Sequence, residues 1–161
     1  MKIEKLVDEH TEQVNYFKLL EKHIALTESL ILAHAIPNGG LRNMKVAKKL
    51  KAEGVKSGVP DIFIPIPRGP NMGLYIEMKK VKQWTITENQ KFWLNFLNEQ
   101  GYYAVVCKGA LDAYQLTMDY IDKGVCLPLP ERYIIKKSKI GKKDGLSKQY
   151  QQIAIQKEYC E

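Results

Sequence analysis

Residues 58–80 read GVPDIFIPIPRGPNMGLYIEMKK, and this segment contains two strand patterns separated by a turn. Residues 62–67 form a β-branched run with two prolines, which suits an edge strand or its exit. Residues 74–80 alternate, with apolar side chains on one face and Glu77 and Lys79 on the other. Because the connection is rich in Gly and Pro, the segment is predicted to be a β-hairpin.

A helical pattern precedes the hairpin. Residues 8–32 are predicted to form one long helix, because a stripe at helical spacing begins with Glu12 and continues through Tyr16. The turn-forming residues at 37–40 end this helix. A short basic segment at 44–51 is also predicted to be helical.

Helices and a further strand follow the hairpin. Thr87 and Gln90 match the capping box that opens a helix, and Gly101 is its predicted stop. Residues 103–107 are predicted to form a third strand and residues 110–123 another helix. This order predicts an α/β fold, namely a central mixed β-sheet flanked by helices.

The length of 161 residues fits one ordinary domain with a core of its own. We predict a domain at residues 1–127 and a basic C-terminal extension of it at residues 128–161. The formal net charge is +7, and most of the cations are lysines. Lysine is a point charge suited to phosphate, so the composition is compatible with nucleic-acid backbone binding. A lysine-rich surface that only maintains solubility explains the charge equally well.

Cysteine usage and hydropathy bear on the cellular compartment and on membrane association. The three cysteines show no metal-ligand spacing, which argues against a zinc module and favours a reducing, cytoplasmic environment. No apolar run approaches the ~20 residues of a membrane span, and the first residues lack the apolar segment of a signal peptide. We therefore expect no membrane partner.

One group of residues suggests chemistry. Asp61 begins the first hairpin strand, while Glu77 and Lys79 share a face of the second, so the hairpin can bring all three together. Two close carboxylates repel each other unless a cation lies between them, and hard oxygen ligands suit Mg²⁺. Taken singly, each residue has a structural explanation: an Asp before a strand often caps a turn, and Glu-x-Lys is often a solvated ion pair.

The ordered set resembles the VRR-NUC family, a branch of the PD-(D/E)xK nuclease superfamily. The resemblance is carried by residues 58–61, 76–79 and 87–90, followed by Gly101 and the strand at 103–107. It implies that residues 1–127 form a nuclease domain with a restriction-endonuclease-like core, which hydrolyses DNA phosphodiester bonds with Mg²⁺ or Mn²⁺. For stand-alone members it further implies activity on branched DNA, such as four-way (Holliday) junctions, by a homodimer.

The same resemblance implies roles for individual residues. Asp61 and Glu77 would be metal ligands, together with the main-chain carbonyl of Met78. Lys79 would be the catalytic lysine.

Two helical residues match the family less decisively. Gln90 matches the glutamine behind the active site, but it also fits a capping box, and we expect that one side chain cannot fully satisfy both roles. Glu12 matches an acidic residue that can hold a metal, although the helix macrodipole alone also favours a Glu in a first turn.

Several polar residues around the hairpin are candidates for contact with the DNA backbone: Asn38, Arg42, Lys56, Arg68, Lys80 and Lys82. No small-molecule organic cofactor is expected. Two other functions remain open at this stage. One is a non-catalytic subunit that docks on DNA with a nuclease fold, and the other is a nuclease of the same superfamily that acts on linear duplex DNA or RNA.

Overall fold

The structure is a computed structural model and describes residues 7–37 and 44–123. The predicted basic extension at 128–161, as well as Asn38 and Arg42, lie outside the described residues. The elements are α1 (Glu9–Ile24), a 3₁₀ helix (Glu28–Leu32), β1 (His34–Ala35), α2 (Met44–Ala52), β2 (Ile62–Ile64), β3 (Leu74–Lys79), α3 (Glu88–Glu99), β4 (Tyr103–Lys108) and α4 (Ala110–Lys123).

The strands form one four-stranded sheet in the order β1-β2-β3-β4. β1 pairs with β2 and β2 with β3 in antiparallel fashion, whereas β3 and β4 are parallel. The predicted hairpin and the mixed sheet flanked by helices are therefore confirmed. β1 was not predicted, because its two residues are too few to produce an alternating pattern.

The prediction of one helix over residues 8–32 is wrong. α1 ends at Ile24, and a separate 3₁₀ helix follows after a turn. A straight helix would direct Ile31 inward, because it lies about three full turns after Leu20. The turn instead buries Leu30 in the core and leaves Ile31 67% exposed. Core packing thus overrides the helical periodicity of this segment.

Helices cover both faces of the sheet. α1 and α4 pack with the 3₁₀ helix against one face, in a core that includes Ile62, Ile76 and Val105. α3 covers the other face, where Leu94 and Leu97 pack with Ala104 and Val106. In the described part of the chain, no helix combines the length and apolarity needed to cross a membrane.

Three elements meet where the parallel strands end. The last residues of β3 and β4 lie side by side, since Lys79 pairs with Lys108. β2 runs antiparallel to β3, so its first residue lies at the same edge of the sheet. The first turn of α1 reaches this edge as well, because Glu9 contacts Lys79. Polar groups from separate parts of the sequence therefore converge here.

Candidate functional site

Asp61 lies at this edge immediately before β2. The register pairs Ile62 with Ile76, which places Asp61 opposite the end of β3. Its Oδ2 accepts a hydrogen bond of 2.8 Å from the Met78 amide. This bond holds the Asp61 carboxylate beside Glu77, as the hairpin prediction indicated.

Glu77 is the most deeply buried charged group of the site, with 1% of its surface exposed. Its Oε1 accepts a hydrogen bond from Gln90 Nε2 and lies 2.9 Å from Lys79 Nζ. Its Oε2 is buried and has no hydrogen-bond partner among the described residues. Burial first, and then the charge of Asp61, raise the pKa of Glu77 to about 8, although Lys79 opposes this shift.

Lys79 lies between two carboxylates and is 4% exposed. Besides its contact with Glu77 Oε1, the Nζ of Lys79 lies 3.5 Å from Glu9 Oε2. Burial lowers the pKa of Lys79, but Glu77, Glu9 and Asp61 together raise it above its usual value. The side chain therefore remains an ammonium group at neutral pH.

Glu9 is a site residue that the sequence analysis missed. It lies in the first turn of α1 with Glu12, where acidic residues are common for the macrodipole alone. From the sequence, Glu9 was therefore indistinguishable from an ordinary acidic residue at a helix start. Only the packing of α1 against the sheet shows that Glu9 reaches Lys79.

Gln90 serves two partners, contrary to our expectation. Its Oε1 accepts a hydrogen bond of 2.9 Å from the Thr87 amide, which completes the predicted capping box. Its Nε2 donates to Glu77 Oε1. Because the two ends of the amide bind separate groups, the capping role and the site role are compatible.

The Glu12 carboxylate lies at the start of α4. It is 8% exposed, and its Oε2 accepts a hydrogen bond of 2.8 Å from the Ala110 amide. The neighbouring Gly109 amide donates to the Lys79 carbonyl at 2.7 Å. Gly109 has φ +83°, and a Cβ there would lie 2.8 Å from a methyl group of Val81. Glu12 thus supports the turn that packs against the strand of Lys79.

The candidate DNA contacts are distributed over different regions. Lys80 and Lys82 follow β3 directly, next to the site, and Lys56 is exposed in the loop before Asp61. Arg68 lies in the hairpin connection, at the opposite edge of the sheet.

The guanidinium of Arg68 has structural partners there. Its Nε donates to the Ile121 carbonyl at 3.0 Å, and its Nη1 donates to the Pro67 carbonyl at 2.9 Å. Arg68 therefore attaches the end of α4 to the hairpin connection.

The oxygen atoms of the site fit a hard divalent cation. Asp61 and Glu77 supply two adjacent carboxylates, and the buried Glu77 Oε2 still has an unused acceptor position. Within residues 7–37 and 44–123, no group of three or more His, Cys, Asp or Glu side chains is arranged to hold a metal ion. Mg²⁺ commonly binds only one or two protein carboxylates and keeps several waters, so this ligand set is sufficient.

Comparisons with known proteins identify a family and a fold. The sequence model of the VRR-NUC domain matches residues 2–111. A solved structure described as a VRR_NUC domain protein is 29% identical to this chain and superimposes with a TM-score of 0.56. The match covers 75% of this chain and 93% of the other. No curated protein matches the sequence.

Proposed function

Because this chain belongs to the VRR-NUC domain family and is a nuclease-type domain, we propose that it is a metal-dependent endonuclease that hydrolyses DNA phosphodiester bonds. One observation carries the proposal. Glu77 is buried beside the Asp61 carboxylate, one of its oxygens has no hydrogen-bond partner within residues 7–37 and 44–123, and a cationic lysine lies against the other oxygen. A divalent cation would relieve the repulsion and satisfy that oxygen.

Each residue would have a distinct role. Asp61, Glu77 and the Met78 carbonyl would hold Mg²⁺ or Mn²⁺, and Gln90 would keep the Glu77 carboxylate in place. The metal would act as a Lewis acid and make a bound water more acidic. The buried ammonium of Lys79 would stabilise negative charge that develops on the phosphate oxygens. Glu9 would hold that ammonium from the side of α1.

The substrate proposed is branched DNA, such as a four-way junction, cut by a homodimer. The described part of each chain contains one such site, and two strands of a junction must be cut, which favours two chains. The formal charge of +7 supports a polyanionic partner. We also propose a cytoplasmic location, where the buried thiol of Cys107 remains reduced.

A substrate panel tests the proposal. Labelled four-way junction, flap, single-stranded and linear duplex DNA, together with labelled RNA, are incubated with the full chain and Mg²⁺ or Mn²⁺, and each reaction is repeated in EDTA. We expect metal-dependent cutting that is fastest on the junction, and a dimer by light scattering. Equal rates on linear duplex or RNA would contradict the junction preference. Tight binding without any cutting would favour the non-catalytic DNA-docking function.

Glu12→Gln distinguishes a metal ligand from a helix cap. A Gln oxygen can still accept from the Ala110 amide, so the observed contact predicts cleavage close to the wild-type rate. Glu12→Ala should lower the free energy of unfolding by about 1–2 kcal/mol, because it leaves that amide without its acceptor. Titration of the cleavage rate with Mn²⁺ provides the check. If Glu12→Gln needs much more Mn²⁺ for half-maximal rate, Glu12 is a metal ligand.

A further inference from the structure

A groove lies beside the site, between α1 and the start of α4. Its volume is about 470 Å³. Lys18 and Lys22 line it from α1, and Lys108 lines it from the end of β4. None of Lys56, Arg68, Lys80 and Lys82, the described residues that we proposed for DNA contact, belongs to its lining.

The groove carries an unbalanced positive charge. Among the described residues, none of its three lysines forms an ion pair with a carboxylate, and Lys108 lies over the Trp84 ring at 4.6 Å from the centroid. The lining includes the Glu12 carboxylate, which is bound to the Ala110 amide. Among the described residues, three lysines and one carboxylate therefore line the groove, and that carboxylate is already bonded within the protein.

The groove is continuous with the carboxylate site. Glu12 contributes to its wall, and Glu9, one helical turn earlier, contacts Lys79. From Glu12, α1 carries Lys18 roughly 9 Å and Lys22 roughly 15 Å along the groove. Lys18 and Lys22 thus form a row that leads away from the site, rather than a cluster that converges on one small anion.

We propose that this groove binds the sugar-phosphate backbone of the DNA strand on one side of the bond to be cut. The inference rests on the proposed function and extends it to the path of the substrate. A row of lysines suits a chain of phosphates, because an ammonium group binds phosphate as a point charge and reads no base sequence. Lys18 and Lys22 contact the phosphates of this strand, whereas the Lys108 ammonium stays over the Trp84 ring.

The test compares two double variants of the full chain. Lys18→Gln/Lys22→Gln removes two charges from the groove, and Lys48→Gln/Lys51→Gln removes two exposed charges from α2 as a matched control. Lys22 and Lys51 each lie in the last turn of their helix, so both variants alter a helix end similarly. Binding to labelled DNA is measured by fluorescence anisotropy in EDTA, which prevents metal-dependent cutting.

We expect the groove variant to bind DNA about tenfold more weakly than the control, with an unchanged melting temperature. Each lost phosphate contact should also reduce the slope of log affinity against log salt by about 0.7–0.9. A single neutral methylphosphonate, moved along the strand, should weaken wild-type binding at positions on one side of the cut. The same substitutions should have no effect on the groove variant.

The outcomes separate this inference from the proposed function. Equal losses of affinity in the two double variants would overturn the groove proposal, even if the wild-type protein cuts DNA. A methylphosphonate effect that persists in the groove variant would also overturn it. If the groove variant alone binds weakly while the wild-type protein never cuts, the groove proposal stands and the catalytic proposal fails.

Discussion

In the presence of Mg²⁺ or Mn²⁺, Asp61→Asn should cut DNA on the order of a thousandfold more slowly than the wild-type protein. The substitution keeps an oxygen that can accept from the Met78 amide, now bonded to Asp61 Oδ2 at 2.8 Å. It removes only the charge that a metal ligand needs. Loss of activity would then reflect lost chemistry rather than a lost hydrogen bond.

Although it slows cleavage, Asp61→Asn should increase the stability of the protein in EDTA. The charge of Asp61 disfavours ionised Glu77, so its removal should stabilise the metal-free protein by about 1 kcal/mol. Mn²⁺ should raise the melting temperature of the wild-type protein but not that of Asp61→Asn. Thermal unfolding with EDTA or Mn²⁺ measures both effects without any DNA.

The stability of the wild-type protein should also depend more strongly on pH than the stability of Asp61→Asn. The pKa of Glu77 is raised from 4.5 to about 8 by burial and by Asp61. Since this pKa exceeds that of the unfolded chain, the stability contributed by Glu77 is complete below about pH 4.5 and is lost as the pH rises towards 8. In EDTA, Asp61→Asn should therefore lose less stability across this range.

Asp122→Asn is a suitable control, because Asp122 is an exposed carboxylate on α4. It should match the wild-type protein in cutting, in melting temperature and in its response to Mn²⁺. Full cleavage by Asp61→Asn, or an undiminished Mn²⁺ effect on its melting temperature, would contradict the assignment of Asp61 as a metal ligand.

Gly58→Ala should lower the free energy of unfolding by about 3 kcal/mol or more. Gly58 has φ +87°, and a Cβ there would lie 2.6 Å from the Asn89 carbonyl carbon. Backbone atoms of α3 cannot rotate away as a flexible side chain can. The loop before Asp61 would therefore have to move off the helix, which carries Gln90.

The neighbouring contacts show why this movement would also affect the site. Trp93 Nε1 donates to the Ser57 carbonyl at 3.1 Å, so the loop is attached to α3 beside Gly58. Displacing it would change the position of Asp61 relative to Glu77 and Gln90. We expect slower cleavage even at temperatures where Gly58→Ala is fully folded, as circular dichroism would establish.

Gly54→Ala isolates the backbone component of this effect. Gly54 has φ +96°, but apart from Gly54 itself and its chain neighbours no atom of the described residues lies within 4 Å of an added Cβ. This substitution should cost only about 1–2 kcal/mol, the ordinary penalty of a left-handed conformation. Urea unfolding of both variants measures the difference. If Gly58→Ala and Gly54→Ala lower the free energy of unfolding equally, the close packing of Gly58 against α3 does not govern stability.

The sequence predicted those parts of the site that follow local rules. Alternation along β3 and the hairpin turn were sufficient to bring Asp61, Glu77 and Lys79 together. The capping box located Gln90 correctly at the start of α3. These predictions succeeded because each depends on residues that are near in sequence or in paired strands.

The rest depends on how the helices pack. Contact between Glu9 and Lys79 joins α1 to a strand about 70 residues later, which no local pattern encodes. The inward turn of Leu30 is likewise set by the core rather than by periodicity. The lysine groove forms only when α1 lies beside the start of α4. In the sequence, its lysines were therefore indistinguishable from other surface lysines.

The shared amide of Gln90 narrows which residues position 90 can tolerate. A capping box accepts either Glu or Gln at this position, because both offer an oxygen to the first residue of the motif. Only Gln also carries the NH₂ group that donates to Glu77. A Glu would preserve the helix start and place another negative charge against the buried carboxylate. Helix formation alone therefore permits two amino acids here, and the carboxylate site permits one.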